Sequence, residues 1–176
     1  MDSRILAAIG IIGVAGIAVF TFIMPSMTAG KVIEVEMFEF GYRLADGQFP
    51  IELKAGETYT FKTRNIGGVE HEIMIVKDPD RVLSDVKEMF NGFMEQGMSV
   101  EEAIEALEGV HHELEEQWEA DGIFVDVLRL GPGESGELIV SIDEPGTYYM
   151  VCLVLRGSAP DTHMDRGMQA QIRVSQ

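Results

Sequence analysis

The residues best suited to chemistry lie close together near the end of the chain. Cys152, His163 and Met168 occur in that order, and His71 lies far upstream after the sequence Asn-Ile-Gly-Gly-Val-Glu. Soft sulfur ligands favour Cu(I), whereas imidazole binds copper in either oxidation state. One thiolate, two imidazoles and a distant thioether form the ligand set of a mononuclear blue-copper centre. These residue types predict a copper site if the fold brings the two segments together.

Composition excludes several other classes of protein. The 176 residues include 13 Lys and Arg against 30 Asp and Glu, a net charge of −17 that argues against a nucleic-acid partner. The single cysteine excludes an intramolecular disulfide framework and any zinc site built from several thiolates. A hydrophobic content of 46% is enough for a folded core in a domain of this length.

The first thirty residues differ from the rest of the chain. Residues 5–24 carry no charge, and a helix of that length spans about 30 Å, the thickness of a bilayer core. We therefore predict an N-terminal transmembrane helix, with residues 1–30 as membrane anchor and linker. The alternative is a cleaved signal peptide, whose apolar segment is shorter, about 7–15 residues. The positive-inside rule weakly favours a domain on the extracytoplasmic side of the cytoplasmic membrane, either periplasmic or extracellular.

Most of the remaining chain shows the patterns of short β-strands. Ile33, Val35 and Met37 alternate with polar residues, and the phase then slips at Phe38, which predicts a bulge near Met37 and Phe38. Gly and Pro turns separate the strand segments, a pattern typical of an all-β antiparallel sandwich or barrel. The predicted strands are residues 31–40, 50–54, 58–63, 70–76, 123–130, 137–142, 147–154 and 170–174.

Residues 78–121 interrupt the strands with helical periodicity. Apolar residues repeat at helical spacing from Ser84 to Met94, and Ser99 with Glu102 fits a capping box that begins a second helix. This insert holds 14 acidic and 2 basic residues, so it carries −12 of the net charge. Its charge either steers a basic redox partner or merely solvates two amphipathic helices.

Histidines and methionines of the insert suggest a second, weaker metal hypothesis. Met89, Met94 and Met98, with His111 and His112, could form a copper-loading patch, because thioethers bind Cu(I). Met89 and His111 lie on apolar helical faces, however, and methionine commonly fills gaps in cores. We therefore favour packing for these residues and expect His112 to be solvated.

Four stretches carry a resemblance to a known family. They read FPIELKAGETYTFKTRN, GGVEHEIMIV, GPGESGELIVSIDEPGTYYMVC and HMDRGM, and they fall within residues 31–77 and 122–176. In content and order they resemble the cupredoxins, the blue copper proteins of the plastocyanin/azurin type. The resemblance implies a cupredoxin-like Greek-key β-sandwich over residues 31–176, with the α-helical hairpin as an insert. It implies His71, Cys152 and His163 as equatorial copper ligands and Met168 as the weak axial one.

The sequence departs from the family pattern at two points. Ten residues separate Cys152 from His163, more than in the best-known members, so part of residues 155–160 must bulge outward. Glu72 follows His71 where many members carry an asparagine that ties the two ligand loops together, which places loop rigidity in question. Met164, Asp161 and Asp165 stay open as alternative axial donors, and a metal-free sandwich with Cys152 as a core residue is the competing interpretation.

The predicted function is that of a type 1 (blue) copper electron-transfer protein and not an enzyme. It would bind one copper ion, tethered at the outer face of a membrane, and exchange single electrons with redox proteins such as a cytochrome or oxidase with a basic docking surface. No nucleic acid and no small-molecule substrate is expected. The resemblance implies that the edge of His163 reaches an apolar surface patch. The alternatives are a protein for copper storage, delivery or resistance, and an accessory subunit of a membrane redox complex.

Overall fold

The computed structural model describes residues 30–155 and 161–176. The predicted membrane helix and most of the predicted outward loop at 155–160 lie outside these residues. The described residues form nine β-strands, two α-helices and one short 3-10 turn. The strands are β1 (Lys31–Phe38), β2 (Gly41–Leu44), β3 (Ile51–Lys54), β4 (Thr58–Asn65), β5 (His71–Val76), β6 (Phe124–Leu130), β7 (Ser135–Ser141), β8 (Gly146–Val151) and β9 (Gln169–Ser175). The helices are α1 (Pro79–Glu95) and α2 (Val100–Ala120), and the 3-10 turn is Met164–Arg166.

The strands form two sheets that enclose the main core. One sheet has the order β2-β1-β4-β7, and the other has the order β3-β9-β8-β5-β6. Most pairings are antiparallel, but β1 pairs with β4, and β3 with β9, in parallel. The prediction of a wholly antiparallel sandwich is therefore wrong for these two pairs. Neither pair is joined by a hairpin, so the connection does not impose an antiparallel direction on them.

The phase slip in the first strand has a different cause from the predicted bulge. β1 pairs with β4 without interruption from Lys31 opposite Tyr59 to Met37 opposite Asn65. The strand ends at Phe38, and the chain then turns through Glu39 and Phe40 into β2, where Gly41 pairs with Phe38. The prediction of a bulge is thus wrong, because Phe38 is the last residue of β1 and Phe40 lies in the tight hairpin turn that follows it. The short strand β2 was missed.

Both predicted helices form, and the first is longer than its apolar pattern suggested. Asp78 caps α1 by accepting a hydrogen bond from the backbone N–H of Arg81. Proline follows at the first helical position, where its missing N–H costs nothing, so the helix begins before Ser84. The predicted capping box of Ser99 and Glu102 is present at the start of α2. The two helices bury Val82, Val86, Phe90, Ala103, Leu107, Leu114 and Trp118.

The helical hairpin covers the outer face of the second sheet. All six residues of β5 are buried, because its sheet has the first sheet on one side and the helices on the other. Met74 and Val76 belong to the apolar cluster beneath the helices, whereas Ile73 and Ile75 belong to the core between the sheets. Within residues 30–155 and 161–176, neither helix has both the length and the apolar composition needed to cross a membrane.

Candidate metal centre

Strand register brings His71 next to Cys152. His71 begins β5, and β5 runs antiparallel to β8 with Met74 opposite Val151. Continuing this register places the start of β5 beside the residues that follow β8. Cys152 is the first of these residues, directly after the strand rather than within it as the sequence suggested. The two segments, eighty residues apart in the chain, therefore meet at one end of the sandwich.

The 3-10 turn brings His163 and Met168 to the same end. Leu155 forms an isolated bridge with Thr162, and the N–H of Met164 donates to the carbonyl of Cys152 over 2.9 Å. The N–H of Met168 donates to the carbonyl of His163 over 3.0 Å, which closes the turn. Gly167 has a φ of 99°, a left-handed conformation that glycine adopts without strain.

Three donor atoms converge at this end of the core. The Nδ1 atoms of His71 and His163 lie 3.0 Å apart, and Cys152 Sγ lies 3.4 Å from His163 Nδ1. The donor atoms of the three residues all lie within 4.8 Å of one another, and all three residues are buried. Metal–imidazole bonds of about 2.0–2.1 Å and a metal–thiolate bond of about 2.3 Å hold such atoms about 3–4 Å apart. The donor set and its spacing therefore fit one first-row metal ion, and the chemistry of the set favours copper.

Met168 is placed beside this group, whereas the alternative axial donors are not. The side chain of Met168 is fully buried in the same core cluster as Cys152, and the N–H of Cys152 donates to its carbonyl over 3.3 Å. Met164 packs instead into the cluster beneath the helices. Asp165 pairs with Lys87, and Asp161 pairs with Arg166. Their partners hold both aspartates away from the core, so Met168 stays the predicted axial ligand.

Glu72 ties the two ligand segments together. Its backbone N–H donates to Cys152 Sγ over 3.4 Å, and its Oε1 accepts the N–H of Leu153 over 2.7 Å. Its carbonyl accepts the Tyr42 hydroxyl over 2.7 Å, and its Oε2 accepts two bonds from Arg129 at 3.0 and 3.2 Å. The question about loop rigidity raised by the glutamate is thereby answered, because Glu72 itself bridges the two ligand segments.

Asn65 holds the loop that packs against His71. Its side-chain amide donates to the carbonyls of Val69 and Leu130 over 2.8 and 2.9 Å, and its Oδ1 accepts the N–H of Gly67 over 2.9 Å. A Cβ atom at Gly67 would lie 2.8 Å from His71 Nε2, so only glycine fits there without a shift. The loop thus packs against the Nε2 side of the imidazole, whereas Nδ1 faces His163.

His163 is covered rather than exposed. Its side chain lies in the core with only 1% of its surface exposed, and the ring of Phe40 meets it edge-on with the centroids 5.6 Å apart. The guanidinium of Arg166 lies over the ring of Phe40, 5.4 Å from the ring centroid. The implied surface edge of His163 is therefore wrong, because the hairpin turn between β1 and β2 carries Phe40 over it.

Burial governs the ionisation of the thiol. Burial, and next the negative charge of Glu72, raise the pKa of the Cys152 thiol far above its usual value of 9.0, although the N–H groups of Glu72 and Val154 oppose the shift. The thiol is consequently protonated at neutral pH when no metal is bound. Binding of a metal ion to its thiolate must therefore release a proton.

The helical insert packs directly on the ligand segments. Leu153 follows Cys152, Met164 follows His163, and both are buried in the cluster beneath the helices with Val86, Leu107 and Trp118. Met89 packs against this cluster as predicted, and His112 is 81% exposed beside Glu116. In the described ranges, His71, Cys152 and His163 are the one group of His, Cys, Asp and Glu side chains close enough to hold a metal.

Several residues of the site are not predictable from their local sequence. Phe40 was assigned to a bulged strand, and Tyr42 lies in the missed strand β2. Asn65 was treated as part of a turn, although an asparagine between a strand and two glycines is a typical loop-closing residue. Arg129 carried no signal, because nothing in its own strand indicates that Glu72 lies opposite.

The arrangement of the two sheets and the positions of the candidate ligands identify the fold. Two sheets, a histidine at the start of one inner strand, and a Cys-His-Met segment between the last two strands are the arrangement of the cupredoxin fold. No protein-family model matches the sequence, and no curated protein matches it either.

Solved auracyanins share this fold. A dithionite-reduced auracyanin from the photosynthetic bacterium Roseiflexus castenholzii is 23% identical with a TM-score of 0.51, and the alignment covers 84% of this chain and 99% of that one. Auracyanin B is 19% identical with a TM-score of 0.53, and the alignment covers 85% of this chain and 91% of that one. Nearly the whole length of each auracyanin is therefore matched, and the protein has the cupredoxin fold.

Proposed function

We propose that this protein is a type 1 copper electron carrier. One observation carries the proposal: two imidazole Nδ1 atoms and a single thiolate sulfur converge within 4.8 Å of one another in a buried position of a cupredoxin fold. Bound copper would supply a one-electron Cu(I)/Cu(II) couple held by His71, Cys152 and His163, with Met168 as axial ligand. The reduced state in which one similar auracyanin was studied is consistent with such a couple.

The residues around the donors suit electron transfer better than catalysis or copper delivery. Hydrogen bonds from Glu72 and the closed turn at His163 hold the donor atoms in one geometry, which limits reorganisation when the oxidation state changes. The donors are buried, so neither a substrate nor a copper-accepting protein reaches them directly. A storage or delivery protein needs exchangeable ligands, and this site has none near the surface.

Electrons would leave through the surface above His163. Phe40 covers the imidazole, and the exposed side chains of Phe38 and Ile66 flank the same hairpin and loop, with exposed fractions of 39% and 42%. Partially exposed apolar side chains of this kind suit a transient protein partner. The acidic insert lies beside the ligand segments, so a basic partner attracted by it would arrive next to this surface.

The membrane location belongs to the same proposal. The uncharged segment at residues 5–24 supports a single-pass anchor at the cytoplasmic membrane, with the copper domain on its extracytoplasmic side. Protease protection of the C-terminus in oriented membrane vesicles tests the location. Retention of the chain at full length in the membrane fraction tests the anchor against a cleaved signal peptide.

The function is tested by electron exchange at defined stoichiometry. The purified protein should bind one copper ion, and the oxidised form should accept one electron from a reduced cytochrome and return it to an oxidised one. Stopped-flow absorbance follows both reactions. A protein that binds copper but exchanges no electrons with any cytochrome or oxidase would instead support copper storage or delivery.

A further inference from the structure

A partly buried ion pair lies next to the ligand segments. Glu72 has none of its side-chain surface exposed, and its Oε2 lies 3.0 Å from Nη2 of Arg129. Arg129 is partly exposed and also lies 3.8 Å from the carboxylate of Glu70. Burial lowers the pKa of Arg129, but the nearby carboxylates, Glu72 first, outweigh burial and raise it. Arg129 is thus a fixed positive charge, and Glu72 is its buried partner.

Glu72 is joined to the ligand segments by two hydrogen bonds and by the chain itself. Its backbone N–H donates to Cys152 Sγ, its carboxylate accepts the N–H of Leu153, and it follows His71 directly in the chain. A glutamine side chain could still accept the N–H of Leu153 through its single oxygen, but only the carboxylate can also accept the bonds from Arg129. The carboxylate adds a negative charge that the bond to Leu153 alone does not require.

Buried charges near a redox centre bias its oxidation state. A negative charge in a medium of low dielectric stabilises Cu(II) relative to Cu(I), and a positive charge does the reverse. The two charges of a buried pair oppose each other, so removing either one leaves the other uncompensated.

We propose that Glu72 and Arg129 are a positioning pair that sets the reduction potential of the copper site with opposite signs. The proposal rests on the proposed function, because it requires copper at His71, Cys152 and His163. Glu72 additionally fixes the segment after Cys152 through the N–H of Leu153, and this second role is independent of its charge.

The direction of the shift in reduction potential distinguishes this role from a purely structural one. In E72Q the acceptor for Leu153 is retained and the negative charge is lost, so the reduction potential should rise by about 59 mV. At a fixed ambient potential this shift corresponds to a Cu(I)/Cu(II) ratio about tenfold higher. In R129M the negative charge is left uncompensated, and the potential should fall by a similar amount. In the double variant E72Q/R129M the two shifts should largely cancel.

Matched controls separate charge from damage to the fold. E52Q removes the acid of the exposed pair between Glu52 and Arg173, and it should leave the potential unchanged. R129K retains the positive charge and should keep the potential near that of the wild type. E72D retains the negative charge and should keep the potential near that of the wild type. If R129M does not fold, a shift in E72Q that is absent from E72D still assigns the effect to the charge of Glu72.

The experiment is a redox titration of the full copper-loaded chain, followed through its visible band. Hydrogen exchange of the Leu153 amide in the copper-free protein provides a second readout, which should quicken in E72A and stay slow in E72Q. Shifts of the same sign in E72Q and R129M, or potentials equal to the wild type in both, would overturn the proposal. A wild-type protein without a thiolate-to-copper band would overturn the proposed function as well, so the two failures are distinguishable.

Discussion

The ring of Phe40 stands edge-on against the imidazole of His163, with 5.6 Å between the two centroids. Phe40 comes from the hairpin turn after β1, and His163 from the turn before β9, so the contact joins distant parts of the chain. The guanidinium of Arg166 also lies over this ring, 5.4 Å from its centroid. The ring of Phe40 thus forms part of the cover over His163.

Removing this ring should open the site to small redox reagents. We expect Phe40→Ala to expose His163 and to accelerate oxidation of the reduced protein by hexacyanoferrate several-fold. Phe38→Ala removes an exposed phenylalanine from the same hairpin and serves as the control, with an unchanged rate. Stopped-flow absorbance measures both variants. Equal rates for Phe40→Ala and the wild type would show that electrons do not leave through His163.

The axial position has its own prediction. Met168→Leu should keep the intense visible band and raise the reduction potential, because a donor that stabilises Cu(II) is lost and an apolar side chain of similar volume replaces it. The change in the Cu(I)/Cu(II) ratio should be of the order of tenfold. Met164→Leu is the matched control, since Met164 packs beneath the helices, and its potential should not change. A shift with Met164→Leu alone would reassign the axial ligand.

Copper-free protein should lose stability at alkaline pH. Burial raises the pKa of the Cys152 thiol above 9.0 and that of the Tyr42 hydroxyl above 10.0. A group with a raised native pKa stabilises the fold fully below its unfolded pKa and loses this contribution as pH rises toward its native pKa.

The free energy of unfolding should therefore fall above about pH 9, by about 1.4 kcal/mol per pH unit for each group past its unfolded pKa. Urea denaturation between pH 7 and 11 measures it. Cys152→Ala removes the contribution of the thiol, so its decline should begin about one unit later. An identical profile for the variant and the wild type would mean that the thiol is not buried in its protonated form.

The acidic insert should accelerate encounter with a basic partner. Glu101, Glu105 and Glu108 are exposed on α2, whereas Glu115 is mostly buried beside His111. Changing the three exposed residues to Gln should slow electron transfer with a basic cytochrome and flatten its dependence on salt. Fields of this kind raise association rates by about 10–10³-fold, and the Debye length of about 8 Å at physiological salt limits their reach.

Three glutamates on the strands provide the control for this experiment. Glu34, Glu52 and Glu137 are exposed, and their change to Gln alters the net charge equally. This variant should keep most of the wild-type salt dependence. If both triple variants behave alike, the net charge of the protein and not its insert governs association, and the insert serves to hold Leu153 and Met164 in place.

Local sequence patterns predicted most of the helices and strands. Features that depend on contacts between distant segments could not be predicted in this way. Alternation at Ile33, Val35 and Met37 correctly identified the inward face of β1, and the capping box at Ser99 correctly began α2. The strand Gly41–Leu44 was missed because it is four residues long and buries only Tyr42, which is too little for a periodicity. The continuous apolar run in β5 reflects cover on both faces, which becomes visible only once the helices are packed.

The candidate ligands were predictable because their types and order are restrictive, whereas the surroundings of the site were not. His71, Cys152 and His163 were named from the sequence, and the structure brings them together. Glu72 was noticed as a departure, but its role depends on Leu153, Tyr42 and Arg129, which come from three other segments. The cover over His163 likewise depends on a hairpin whose turn was interpreted as a bulge.

The visible spectrum of the purified protein titrated with Cu(II) tests the copper site most directly. An intense thiolate-to-copper band should appear, saturate at one equivalent, be bleached by dithionite, and be absent from Cys152→Ser. A pale Cu(II) complex without this band, or a band that persists in Cys152→Ser, would contradict the assignment of a type 1 copper site.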